Sequence, residues 1–418
     1  MSIIKSSLFL VSSTVVRALN GLAVLKILAL HSSPAGFGYL SQVMGVIGLF
    51  GMLSAGGIGN GLTRQLAASA QPGEWQRWMV AGLKIYLAAS LALALVLVAA
   101  SLTWSRWFAG DSGYAVVFIC LAAGQALVGA ASLAQSVASA RQDYAFTLRI
   151  ALIGALGGAV AVAIGVWSAG VTGGAIALVV NAAFPGIAAI VLKRRGVRRL
   201  AECVGEKVRR ADIVLLVKYA CVSLTGAASL AISQIASRNL VGESAGWMAV
   251  GLWQTVARIS DVYMQLISVV LMAYVLPRLS RHAGFRIMHA EFMKFCAMIA
   301  GTFCVAALAI YALRDLIITL LFSREYLPAA ALLDYQLAGD LFRIVAVCIS
   351  VALMARGLTK LSIFYEATQG ILMFLLTFTL LGHSAGAAPV QAYCITYAAL
   401  LLVLAYAYRR QLACENRS

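Results

Sequence analysis

The chain has 418 residues, of which 62% are hydrophobic and 11% charged, and 32 Lys and Arg against 15 Asp and Glu leave a formal net charge of +17. No polar stretch is long enough to build a soluble domain. The basic residues gather at the ends of apolar segments, so the charge points to a membrane rather than to nucleic acid.

A spanning helix needs about 20 mostly apolar residues. Twelve stretches meet that requirement, at 7–30, 37–66, 79–102, 114–140, 145–168, 170–193, 212–240, 246–277, 288–312, 330–356, 361–381 and 388–408. The first carries Arg17 and Lys26 and lacks a small-residue cleavage site, so it reads as a retained span and not as a signal peptide. In the second, Gly56-Gly57-Ile58-Gly59-Asn60-Gly61 allows local unwinding; it lacks the GKS/T ending of a phosphate loop. In the fifth, Gly154-Ala155-Leu156-Gly157-Gly158 allows close helix approach. Pro34, Pro72, Pro328 and Pro389 fall in or beside connections. Pro277 closes the eighth stretch, and Pro185 lies inside the sixth, where a kink is expected.

The even count places both termini on one side. On that side lie the basic run from Lys193 to Arg210, then Arg278, Arg281, Arg286, Arg356, Lys360, Arg409, Arg410 and Arg417. The opposite connections are poorer in Lys and Arg, so the positive-inside rule puts both termini in the cytoplasm. The basic stretch splits the chain into a lobe over 1–195, a linker over 196–211 and a second lobe over 212–418. The expected fold is all-α and polytopic, with about twelve transmembrane helices in two six-helix lobes.

A charge at membrane depth is costly and marks a cavity or a partner. In the eighth stretch Gln254, Arg258, Asp261 and Gln265 recur at i, i+4, i+7 and i+11, one helical face. Arg258 and Asp261 are spaced to pair. The stripe is either the wall of a wet cavity or a buried ion pair that joins helices. The tenth stretch repeats the pattern with Gln336, Asp340 and Arg343, and the eleventh carries Glu366 and Gln369. Arg17 lies near mid-membrane with Asn20 one turn on, whereas Lys26 points about half a turn away. Asn60 and Arg64 share a face in the second stretch. Arg64 and Arg149 either face inward or snorkel; Lys218 and Arg238, near span ends, are expected to snorkel.

Basic residues thus exceed Asp261, Asp340 and Glu366, the carboxylates placed to neutralise them or to carry protons. A cavity of this kind favours an anion. A cationic-drug exporter would need an acidic cavity, and a scaffold would need no aligned polar faces. The eight cysteines form no CxxC pair, and the four histidines lack HExxH spacing. No carboxylate–nucleophile pair is present, so neither catalysis nor a cofactor is expected.

The segment from Leu252 to Gln265, with Trp253-Gln254, Ser260-Asp261, Tyr263 and Gln265, followed by Leu276-Pro277-Arg278-Leu279-Ser280-Arg281, resembles the Wzx-type flippases, above all their lipid III branch. Pro34-Ala35-Gly36, Gly57-Ile58, Asn60-Gly61, Gln336-Leu337 and Gly339-Asp340 also match. Lys218, Arg238, Glu366 and Gln369 fall where that branch has the same residue type, and Arg17, Arg64 and Arg343 where it tends to carry lysine. The resemblance implies the multidrug/oligosaccharidyl-lipid/polysaccharide exporter fold and alternating access through a cationic cavity in an inner membrane. It further implies that an undecaprenyl-diphosphate-linked oligosaccharide, of an O-antigen or of enterobacterial common antigen, crosses to the periplasmic leaflet. Implied partners are a coupling ion (H+ or Na+), a polysaccharide polymerase and a chain-length regulator. Arg17, Lys26, Asn60, Arg64, Gln254, Arg258, Gln265 and Arg343 are the expected substrate contacts, and Asp261, Asp340 and Glu366 the charge or coupling partners.

Overall fold

The computed structural model describes residues 3–109, 114–194, 208–281, 285–384 and 386–415. Most of the basic stretch 196–211, together with His282 and Arg417, lies outside these. Among the described residues the chain is helical and has no strand. In order the elements are α1 (Ile3–His31), α2 (Pro34–Ser54), α3 (Gly59–Ala68), α4 (Pro72–Ala99), α5 (Ser101–Ala109), α6 (Ala115–Ala140), α7 (Tyr144–Leu192), α8 (Arg210–Ala245) and α9 (Trp247–Val270). A π-helical turn (Leu271–Val275) leads into α10 (Leu276–Leu279), followed by α11 (Phe285–Ala312) and α12 (Arg314–Leu321). A 3-10 segment (Arg324–Leu332) precedes α13 (Leu333–Ala355), α14 (Thr359–Ser384) and α15 (Ala388–Glu415).

Every stretch expected to span falls on helix. Nine helical segments among the described residues are long and apolar enough to cross a membrane. One of the nine is the 49-residue α7, in which Ala169 and Gly170 leave helical geometry and Gly170 takes a φ of +56°. That glycine divides α7 into two arms, which correspond to the expected fifth and sixth stretches. The stretch on α8 is helical as well, and that on α9 is helical but falls outside the nine, because polar side chains interrupt its apolar run. Leu91, Leu156, Leu308 and Leu402 stand exposed, as lipid-facing side chains of a multi-pass membrane protein do.

The chain forms two compact units. The first comprises 1–32 and 39–228, the second 33–38 and 229–418, so the division falls inside α8. In the first unit, Ile58, Leu62 and Leu66 pack with Trp78, Met79, Tyr86, Leu133 and Leu216. The Gly-rich run does unwind the second stretch: Gly56 and Gly57 have φ of +61° and +62° and separate α2 from α3. Polar tethers reinforce the packing, since the Ser54 hydroxyl donates to the Gln125 carbonyl at 2.8 Å and lies 2.9 Å from the Ser90 hydroxyl. In the second unit Phe37 meets Phe322 and Tyr326 edge-on, with ring centroids 5.5 and 5.7 Å apart.

Pro185 lies inside the helix, and α7 departs from helical dihedrals at Ala169 and Gly170. The facing arm makes room for the proline ring, because a Cβ on Gly154 would lie 2.9 Å from Pro185 Cγ. Gly158 allows the same closeness at Asn181, where a Cβ would come within 2.0 Å of Oδ1. Replacing Gly158 with Ala should therefore cost about 1–3 kcal/mol, the range for overpacking. Thermal unfolding in detergent reads this as a lowered midpoint. Gly21→Ala, whose new methyl meets nothing within 4 Å, should leave the midpoint unchanged.

Candidate functional site

The arms of α7, with α1 and α6, enclose a cavity of about 210 Å³ in the first unit. Arg17 and Asn20 reach it from α1, Ser132 and Gln135 from α6, and Thr147 and Asn181 from α7. Arg17 is accessible and is held locally, its Nε and Nη2 each 3.3 Å from acceptors of Ser13 one turn earlier. No carboxylate pairs with it among the described residues. The Asn20 amide lies 3.5 Å from Asn181 Oδ1, and Asn20 Oδ1 is buried without a hydrogen-bond partner. Lys26 does not line this cavity, in keeping with its half-turn offset from Arg17. Asn60 and Arg64 are exposed on α3, and Arg64 Nη1 donates to the Tyr219 hydroxyl at 3.1 Å. Lys218 and Arg149 are also exposed.

In the second unit the polar stripe of α9 does not form one wall. Gln254, expected to face a cavity, is only 3% exposed, and its Oε1 accepts from Arg238 Nη1 at 3.4 Å. Arg238 is 2% exposed and does not snorkel. The helix face was read correctly, but its upper end meets another span instead of water. One turn on, Arg258 and Asp261 pair as their spacing predicts, Nη1 to Oδ2 at 3.2 Å. Their side chains are 21% and 56% exposed, and Gln265 is exposed as well. Past the π-helical turn, Arg278 donates to Glu291 and, at 2.7 Å, to the Tyr274 hydroxyl. The bond to Glu291 raises the Arg278 pKa above the usual arginine value.

Asp340 on α13 is wholly buried and collects donors from two further helices. The hydroxyls of Ser260 and Tyr393 donate to Oδ1, each at 2.6 Å, and the Tyr263 hydroxyl donates to Oδ2. Gln336 Nε2 lies 3.4 Å from both carboxylate oxygens. Arg343, expected as a charge partner for this carboxylate, forms no ion pair with it among the described residues. Its Nη1 donates to the Tyr393 hydroxyl at 3.1 Å, and its guanidinium lies 5.3 Å from the Tyr397 ring centroid. Tyr397 in turn donates to Gln369 Oε1 at 3.0 Å. The aromatic hydroxyls take up the polar groups that the sequence reading had paired by charge. Glu366 stays exposed on α14, with no ion pair among the described residues.

The sequence reading named Tyr263 only within the motif, with no role at the site, and missed Tyr393, Tyr397, Gln135 and Asn181. Tyr393 and Tyr397 are spaced i, i+4 in the last stretch, and that spacing was the available signal. A hydrogen bond to a charged group contributes about 1.5–3 kcal/mol, and a stranded buried donor costs about 1–3 kcal/mol. Asp340→Ala strands three hydroxyls, so it should destabilise the protein by several times the effect of Asp261→Ala, whose exposed pair contributes about 0–1 kcal/mol. Thermal unfolding in detergent compares the two variants directly.

A family model described as polysaccharide biosynthesis protein matches residues 27–331. The lipid III flippase of Escherichia coli (strain K12) is 29% identical over 399 residues, covering 95% of this chain and 96% of the relative. The Shigella flexneri lipid III flippase matches to the same extent. Among solved structures, an inward-facing multidrug resistance MATE family transporter of the MOP superfamily aligns with a TM-score of 0.75 at 14% identity, over 97% of this chain and 96% of that one. The lipid II flippase MurJ, in an inward closed conformation, aligns at 0.74 and 13% identity, over 97% and 87%. The expected all-α exporter fold and the resemblance to the lipid-linked oligosaccharide flippases are thereby borne out. The match over 27–331 makes the chain a member of the polysaccharide biosynthesis protein family.

Proposed function

We propose that the chain is a flippase that carries an undecaprenyl-diphosphate-linked oligosaccharide from the cytoplasmic to the periplasmic leaflet of an inner membrane. The oligosaccharide is an O-antigen repeat unit or the lipid III of enterobacterial common antigen. One observation carries the reading: Arg17 and Arg343 on apolar helices and Arg64 on the short α3 meet hydroxyls or a carbonyl, and none forms an ion pair among the described residues. Cations left without carboxylates suit an anionic head group, because Arg offers charge-assisted hydrogen bonds to phosphate oxygens. The nearly full-length likeness to lipid III flippases supports the lipid-linked class.

In this reading the lobes 1–195 and 212–418 alternate access about the linker 196–211, and both termini face the cytoplasm. Arg17, Lys26, Arg64, Arg258 and Arg343, with Asn60, Gln254 and Gln265, serve the head group. Arg258 is shared with Asp261, and Gln254 acts by holding Arg238 in place. Asp340 organises its helices, which leaves Asp261 and Glu366 for exchange with a coupling ion. A polymerase and a chain-length regulator would act on the product.

Neutralising Arg17 and Arg258 together (Arg17→Gln, Arg258→Gln) should lower lipid-linked glycan translocation in proteoliposomes by at least about tenfold, a loss of roughly 1.4 kcal/mol. Membrane levels should stay at those of the unmodified protein. Undiminished translocation would remove both residues from the mechanism. Deletion that shifts drug susceptibility and leaves surface glycan intact would support a small-molecule antiporter instead.

A further inference from the structure

We propose that the cavity of the first unit is a saccharide subsite that takes one sugar ring of the lipid-linked glycan, apart from the diphosphate. The inference rests on the flippase reading and narrows the role of Arg17 within it.

Size comes first. At about 210 Å³ the cavity has room for a sugar ring together with bridging water.

The lining chemistry is the stronger argument. Three side-chain amides, Asn20, Gln135 and Asn181, share the cavity with one cation, Arg17. Each amide presents an acceptor oxygen beside its donors. A diphosphate offers acceptors almost throughout, so amide oxygens oppose it; sugar hydroxyls both donate and accept. Asn20 Oδ1 is buried and without a hydrogen-bond partner, so a turn of its side chain toward the cavity would offer an unused acceptor. An ionised phosphate oxygen cannot donate to it, and a hydroxyl can. The Asn20 amide is already turned toward Asn181 at 3.5 Å, which leaves that acceptor directed elsewhere. The absent side chain of Gly158 is what lets Asn181 occupy its place, within 2.0 Å of where a Cβ would sit. Ser132 and Thr147 add hydroxyl side chains to the lining, and Ile150 and Pro185 offer apolar surface to the C–H faces of a ring.

The test compares two probes on protein purified in nanodiscs. One is undecaprenyl diphosphate without sugar. The other is the lipid-linked oligosaccharide extracted from cells that lack this protein. Asn181→Leu and Gln135→Leu remove amides, and Ala155→Leu fills the cavity while keeping every polar group. Each should weaken binding of the glycosylated lipid by about tenfold and leave binding of the sugar-free lipid within about twofold. Equal losses for both lipids, or no loss for the glycosylated one, would overturn the subsite. Unmodified protein that binds both lipids equally also removes it while the flippase reading stands. Unmodified protein that binds neither ends the flippase reading and the subsite together.

Discussion

An ionised side chain at bilayer depth persists only where fixed hydrogen bonds or a wet cavity offset its desolvation. The two units meet that constraint differently. The second surrounds Asp340 with Ser260, Tyr263, Tyr393 and Gln336, and gives Arg343 the hydroxyl and ring faces of tyrosines. The first anchors Arg17 to a serine one turn away and leaves it facing a cavity. One arrangement fastens Asp340 among its helices and leaves Arg343 without a carboxylate, and the other keeps Arg17 facing a cavity.

The fold was legible where the signal is long. Twenty-residue apolar runs, Gly56-Gly57 at the α2–α3 break and the i, i+3 spacing of Arg258 and Asp261 all appear in the helices as read. The site was less legible because periodicity says which residues share a face and not what lies opposite. Gln254 and Arg258 share the face of α9, yet one is buried against Arg238 and the other is partly open. Arg238 sits near a span end, where snorkelling is the usual outcome, and only tertiary packing shows it buried. Tyrosine is harder still: within an apolar run Tyr393 resembles a lipid-facing residue, although it bridges Asp340 and Arg343.

Small residues connect the packing to the cavity. Lipid is as apolar as a leucine side chain, so helices in a membrane associate through close contact and hydrogen bonds instead of hydrophobic burial. The glycines at 154 and 158 bring the arms of α7 together around Pro185 and Asn181. The same contact that stabilises the pair also fixes where the Asn181 amide points. Substituting these glycines would thus alter stability and ligand geometry together, and only the amide and cavity-filling variants separate the two.

The same distinction bears on ion coupling. A carboxylate that exchanges a proton or sodium with each transport cycle must change partners at little cost. Asp340 is poorly suited, since it is wholly buried and already accepts from three hydroxyls, and each bond lost would strand a donor. Glu366 is exposed and has no ion pair among the described residues, and Asp261 is more than half exposed beside Arg258. Asp261 would also release Arg258 whenever its own charge is neutralised, which ties proton or sodium uptake to the cation offered to the head group. In the proposed cycle, coupling therefore falls to the carboxylates that the fold leaves loose, and Asp340 holds the helices against which they move.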